Sequence, residues 1–139
     1  MQNRSIAAAA VVIVIAGTAG CGDERKPDRA KNARITIGGE TQIIHDVSCT
    51  QWEWSMTIET KSGRTRTRSL LEIGGEQPVA KTVDIRDFDG FNGVAGEGAG
   101  SVEVSLADNS YVIEGAAEGS DPERPGNTKT VPFRIETPC

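Results

Sequence analysis

The chain has 139 residues, about the size of one domain, and carries a formal net charge of −5 with only 4% aromatic residues. A negative balance argues against a nucleic-acid partner held through its phosphates. A single histidine and three cysteines exclude a rich His/Cys metal site, and we expect no cofactor.

The N-terminal stretch predicts export. Arg4 provides a positive start, and residues 6–16 form an uncharged apolar run. These eleven residues rise 1.5 Å each and cover only about 16 Å, well short of a hydrocarbon core of roughly 30 Å. The run is therefore typical of a signal peptide, and we assign residues 1–20 to a leader that is removed.

Small residues and a cysteine close this leader, in the order Thr18-Ala19-Gly20-Cys21. The order resembles the bacterial lipobox, in which the cysteine is acylated and becomes the new N-terminus, although Thr18 stands where an aliphatic residue is usual. Acylation would supply the two or more chains that stable anchoring to a membrane needs. The alternative is an ordinary secretory peptide with Cys21 as a structural thiol.

The chain has three cysteines, so one of them cannot form a disulfide within the chain. If Cys21 carries a lipid, Cys49 and Cys139 remain, and an exported compartment permits a disulfide between them. Closing a loop of about 90 residues is worth about 4–5 kcal/mol in the chain-entropy view. Two buried free thiols are the alternative.

Residues 21–33 comprise the acylated N-terminus and a tether. From Gly22 to Ala33 the sequence is charged, contains Pro27 and has no apolar residue larger than alanine. Such a segment cannot bury enough surface to offset its ordering entropy. It therefore predicts a flexible tether between the membrane and a β-domain at residues 34–139.

From residue 34 onward, apolar residues alternate with polar ones, which predicts antiparallel strands with one buried face. About seven short strands separated by turn signals predict an all-β fold, either an antiparallel sandwich or a partly open barrel. The last strand contains Pro132, which favours an edge position because proline cannot donate to a neighbouring strand.

Two-residue turns set the register of the predicted hairpins. Gly38-Gly39 turns the chain after the first strand, and Asp108-Asn109 forms a second tight turn. A turn at Ser62-Gly63 would place Glu59 opposite Arg66, so that unlike charges face each other on one side and apolar residues on the other.

Several segments together are similar to a known family. They are the four residues ending at Cys21, Ile35 to Gly39, Val47 to Cys49, Ser110 to Gly115, and Phe133 to Cys139. Over most of its length the chain resembles the mycobacterial LpqH-type lipoprotein antigens. The tether departs from that family's common Ser/Thr-rich, glycosylated form, because residues 22–33 contain neither serine nor threonine.

The resemblance implies an acylated cell-envelope lipoprotein, held by its acyl chains, palmitate among them, on the outer side of the plasma membrane. It implies a surface-exposed antigen without catalytic activity that host immune receptors of the Toll-like class recognise. It also implies that Cys21 is the acylated residue and that Cys49 pairs with Cys139.

A second function, from a binding class, depends on the shared strand face of Trp52, Trp54, Met56 and Ile58. Wide aromatic rings and a pliant methionine suit an acyl chain, so this face could line the cavity of a lipid or glycolipid carrier. Ordinary core packing is the alternative.

Three further motifs favour structural explanations. The glycine-rich segment 96–101 lacks the lysine and the following helix of a phosphate loop, and the aspartates between residues 84 and 89 miss the calcium-loop spacing. We expect a plain loop and a solvated turn. Because adjacent His45 and Asp46 point to opposite faces of a strand, they cannot form a hydrolase triad with Ser48.

Arg64, Arg66 and Arg68 alternate along one predicted strand and share its exposed face. Three guanidinium groups there could hold an anionic head group. Pairing with Glu59 and its neighbours across the sheet is the alternative.

Overall fold

The computed structural model describes residues 32–139, which form ten antiparallel β-strands, and no residue in that range is helical. These residues contain ten paired strands, a buried core and a disulfide. The strands are β1 (Ala33–Ile37), β2 (Glu40–Ile44), β3 (Asp46–Trp52), β4 (Ser55–Ser62), β5 (Thr65–Glu72), β6 (Val79–Phe88), β7 (Phe91–Gly96), β8 (Ser101–Ala107), β9 (Ser110–Ser120) and β10 (Thr128–Pro138).

The strands make one sheet that curls into a nearly closed barrel. Their order is β2-β1-β10-β9-β7-β6-β5-β4-β3, with β8 paired to β9. The two end strands of this order, β2 and β3, are consecutive in the chain and separated only by His45. One segment therefore carries both ends of this order, which brings the two ends together, while β8 pairs only with β9. The predicted all-β class and partly open barrel are confirmed.

The sheet has more strands than the alternation predicts, because some strands carry little hydrophobic signal. Only Ile44 is buried in β2. The inward positions of β7 include Gly93 and Ala95, whose small side chains weaken a period-two pattern. No residue of β3 is fully buried.

Two predicted hairpin turns are confirmed. Gly38 and Gly39, with φ of 60° and 90°, connect β1 to β2. Asp108 and Asn109, with φ of 51° and 61°, connect β8 to β9 and place Leu106 opposite Tyr111. Left-handed backbone at both positions matches the twist of the flanking strands.

The predicted turn between β4 and β5 is wrong by one position. Gly63 and Arg64 form it, so Ser62 lies opposite Thr65. The Thr65 hydroxyl donates to the backbone carbonyl of Asp87 at 2.8 Å, so a contact with β6 fixes this register. The pairing moves by two residues, and because side chains alternate with period two, each one keeps its predicted face.

The prediction of an edge position for the strand with Pro132 is also wrong. β10 lies between β1 and β9. The Pro132 carbonyl accepts a hydrogen bond from the Gly38 N–H at 2.9 Å, on the side facing β1. The missing proline N–H points to the same side, where β1 ends at Ile37, so the sheet loses one ladder bond at the end of a strand.

Aliphatic side chains from the inward faces fill the barrel. Completely burying an isoleucine or leucine is worth about 1.5–3 kcal/mol, so this interior supplies most of the domain's stability. The large aliphatic residues with no exposed surface are Ile35, Ile44, Leu71, Val83, Ile85, Ile113 and Ile135.

Candidate functional site

The described chain enters the barrel at Asn32, beside the junction of β2 and β3. The Asn32 side-chain oxygen accepts a hydrogen bond from Nδ1 of His45 at 2.7 Å. Ala33, the last residue of the predicted tether, is instead the first residue of β1 and is completely buried. The leader, Cys21 and the tether up to residue 31 lie outside the described residues.

A disulfide joins Cys49 in β3 to Cys139 at the end of the chain, with 6.0 Å between their Cα atoms. The bridge spans 90 residues and ties the segment after β10 to the strand at one end of the sheet order. Cys49 is half-buried against the core, whereas Cys139 is exposed. The predicted pairing of these two thiols is therefore present, and the alternative of two free thiols is wrong.

The four residues proposed to line a lipid cavity do not share a surface. Met56 and Ile58 are 7% and 1% exposed and belong to the core, whereas Trp52 and Trp54 are 77% and 69% exposed. β3 ends at Trp52 and β4 begins at Ser55, so Trp54 lies in the turn between them. The alternation in the sequence continues across this turn, although the strand does not. The prediction that these four residues line a lipid cavity is therefore wrong.

Contacts with the segment after β5 hold this tryptophan turn in place. Glu53 has φ of 49°, a left-handed conformation that reverses the chain. The carbonyl of Trp54 accepts a hydrogen bond from the Ile73 N–H at 2.7 Å. A Cβ added at Gly74 would lie 3.0 Å from the Trp54 side chain, so the missing side chain lets the indole lie against the backbone.

A groove of about 350 Å³ crosses the outer surface of β4, β5 and β6. In one row across it, Arg68 lies between Glu59 and Asp84, a cation between two carboxylates. The Arg68 guanidinium is 3.6 Å from the Glu59 carboxylate. Cross-strand pairing with Glu59 is thus present, but through Arg68 rather than Arg66.

In the adjacent row the residues are Lys61, Arg66 and Arg86, which lie directly opposite one another on the three strands. We call these three residues the basic row. The Asp84 carboxylate lies 2.7 Å from the Arg86 guanidinium. The hydrogen bond between them and the negative charge of Asp84 raise the pKa of Arg86. Lys61 and Arg66 form no ion pair with any residue between 32 and 139.

Arg64 does not belong to this face, although its spacing predicts that it does. It lies in the β4–β5 turn and pairs with Asp87 at 2.8 Å. The predicted solvated turn holds only in part for the three aspartates. Asp84 lies within β6, Asp87 occupies an irregular point of the β6–β7 pairing with φ of 49°, and Asp89 lies in the following turn.

The glycine-rich segment is the predicted loop. It connects β7 to β8, and the Gly96 N–H donates to the Ala99 carbonyl at 2.8 Å. A Cβ at Gly100 would clash with the carbonyl oxygen of Ala116, so close packing accounts for that glycine. Between residues 32 and 139, no three His, Cys, Asp or Glu side chains converge as metal ligands, and no helix is long and apolar enough to cross a membrane.

Comparison with known proteins gives a consistent group. The family described as Mycobacterium 19 kDa lipoprotein antigen matches residues 26–139. The "Probable lipoprotein LppE" of Mycobacterium tuberculosis is 30% identical over the full length of both chains. A "Putative lipoprotein" of Mycobacterium avium subsp. hominissuis is 29% identical over this whole chain and 97% of its own. The "Lipoprotein LpqH" of Mycobacterium avium is 27% identical over 79% of this chain and 70% of its own.

Proposed function

Because the chain belongs to the Mycobacterium 19 kDa lipoprotein antigen family, and so to membrane-anchored lipoproteins of the cell envelope, we propose that Cys21 carries the anchoring acyl chains. Palmitate is among these chains, which hold the domain on the outer side of the plasma membrane. The proposal is carried by one observation: the ten described strands and the disulfide are formed between Ala33 and Cys139, and Cys21 precedes this range in the chain. We expect acylation at Cys21 to anchor the chain without using a residue of these strands.

The residues before Cys21 support this assignment. An apolar run too short to span a bilayer, followed by small residues and a cysteine, is the arrangement that lipoprotein processing needs. One acyl chain gives only marginal and reversible anchoring, so stable attachment requires two or more on the processed cysteine.

We further propose that the domain is exposed at the surface as a non-catalytic antigen and that host immune receptors recognise its acylated end. Membership of a family of lipoprotein antigens supports the first part. The carrier hypothesis has lost the feature on which it depended, since Trp52 and Trp54 are exposed whereas Met56 and Ile58 are buried in the core. No other observation favours a carrier.

Replacement of Cys21 by alanine tests the anchor. In a mycobacterial host, we expect wild-type protein in the membrane fraction, with an N-terminal peptide whose mass includes acyl chains on Cys21. The Cys21→Ala protein is expected in the soluble fraction. Cys49→Ser is the matched control, because it removes a cysteine from the domain and leaves the lipobox intact. A wild-type protein that carries no lipid and still sediments with membranes would contradict the proposal.

A further inference from the structure

The basic row places three cations side by side where the sheet could have alternated charge. Lys61 lies opposite Arg66, and Arg66 lies opposite Arg86. All three side chains are exposed on the outer face of the barrel. Like charges directly opposite one another destabilise a sheet. Asp84 neutralises Arg86, but Lys61 and Arg66 have no carboxylate partner among residues 32–139.

The composition of the domain makes this row more unusual. Between residues 32 and 139 there are ten basic residues and seventeen acidic ones. Four of the ten basic residues line this groove, with only Glu59 and Asp84 as carboxylates. Asp46 lies opposite Lys61 on β3, yet the two form no ion pair. Acidic partners are abundant in the domain, and the row is left without enough of them.

The row also lies close to the point where the tether meets the barrel. Asn32 contacts His45, the next residue is Asp46, and Asp46 lies opposite Lys61. Consecutive Cα atoms are about 3.8 Å apart and neighbouring strands about 5 Å, so the entry point is within about 20 Å of the row. The twelve residues from Cys21 to Asn32, eleven Cα–Cα steps, can reach at most about 40 Å.

We infer that the basic row binds the phosphates of anionic phospholipids in the membrane to which the chain is anchored. This inference rests on the proposed function, since acylation at Cys21 brings this side of the barrel within reach of the head groups. Guanidinium groups suit the purpose because they donate paired hydrogen bonds to phosphate oxygens. An anionic surface repels the rest of the acidic domain, so the contact also orients the barrel.

The experiment uses the mature chain from residue 21 with Cys21→Ala, so that binding through the row is measured without the anchor. The chain is sedimented at low ionic strength with vesicles of phosphatidylcholine alone, or with 30% phosphatidylinositol added. We expect binding only to the anionic vesicles. Each basic residue near such a surface contributes about fivefold in affinity, so Lys61→Gln with Arg66→Gln should weaken binding about 25-fold.

Arg124→Gln with Lys129→Gln is the matched control, because it removes the same charge from exposed residues outside the groove. Equal losses in both double variants would overturn the inference, as would equal binding to neutral and anionic vesicles. Displacement by inorganic phosphate, but not by chloride at the same ionic strength, would overturn it in favour of a site for the free anion. An unchanged or higher melting temperature of the Lys61→Gln, Arg66→Gln protein shows that its loss of binding is not a loss of fold. Failure of the anchor itself would appear only in the fractionation of wild-type and Cys21→Ala protein.

Discussion

Replacing Cys139 with serine is expected to destabilise the domain by about 4–5 kcal/mol, and the structure explains why this cysteine is the better choice. Cys139 is exposed, so its substitution opens the disulfide and removes almost no packing. The bridge closes a loop of 90 residues, for which the chain-entropy view gives about 4.6 kcal/mol at 25 °C. A native disulfide in a small secreted domain typically contributes about 2–5 kcal/mol, so the expectation lies at the upper end.

Urea unfolding followed by tryptophan fluorescence measures this loss, with the slope checked for constancy between variants. Cys49→Ser should cost slightly more, since Cys49 also packs against the core. The double variant should match Cys49→Ser within about 0.5 kcal/mol, because either change opens the same bridge. Reduced wild-type protein should unfold at the urea concentration of the Cys139→Ser variant. A loss below about 1 kcal/mol, or a double variant equal to the sum of the two singles, would refute the reasoning.

Two further predictions compare exposed and buried side chains of the barrel. Trp52→Ala should change the free energy of unfolding by no more than about 0.5 kcal/mol, because the side chain is 77% exposed. Ile58→Ala, at 1% exposure, should cost about 2–5 kcal/mol. Similar losses for the two variants in thermal melts would show that Trp52 belongs to the core. Ser69→Ala should leave stability unchanged or raise it by about 1 kcal/mol, because the Ser69 hydroxyl is buried and has no hydrogen-bond partner among residues 32–139; a clear loss in the same melts would mean that this hydroxyl is satisfied.

The local parts of the fold could be predicted because their signals are local. The period-two pattern identified most of the strands that carry large aliphatic residues, and residues able to adopt left-handed backbone marked the turns after Ile37 and Ala107. β7 offers a weaker signal, because two of its three inward residues, Gly93 and Ala95, are small.

The errors arise where a distant contact decides between local alternatives. The alternation from Trp52 to Ile58 continues through the sequence, but the chain reverses at Glu53. The contacts of Trp54 with Ile73 and Gly74 hold this turn in place. Likewise, the β4–β5 register depends on Thr65 and its bond to Asp87 in β6. Neither the segment at residues 73–74 nor Asp87 can be recognised as a contact from the residues near these two turns.

The sequence by itself predicted the all-β class and the exported, lipobox-like start, because both depend on residue type and short-range spacing. It predicted the pairing of Cys49 with Cys139 from the cysteine count and the family resemblance, since the two residues lie 90 positions apart. Only the tertiary structure decided that Pro132 lies in an interior strand and that both tryptophans face solvent. It also decided that Lys61, Arg66 and Arg86 form a single row. That row joins three strands, and its existence depends on two registers at once. A pattern read along one strand has no information about which residues of the neighbouring strands lie opposite it, because pairing is set by turns and by packing across the barrel.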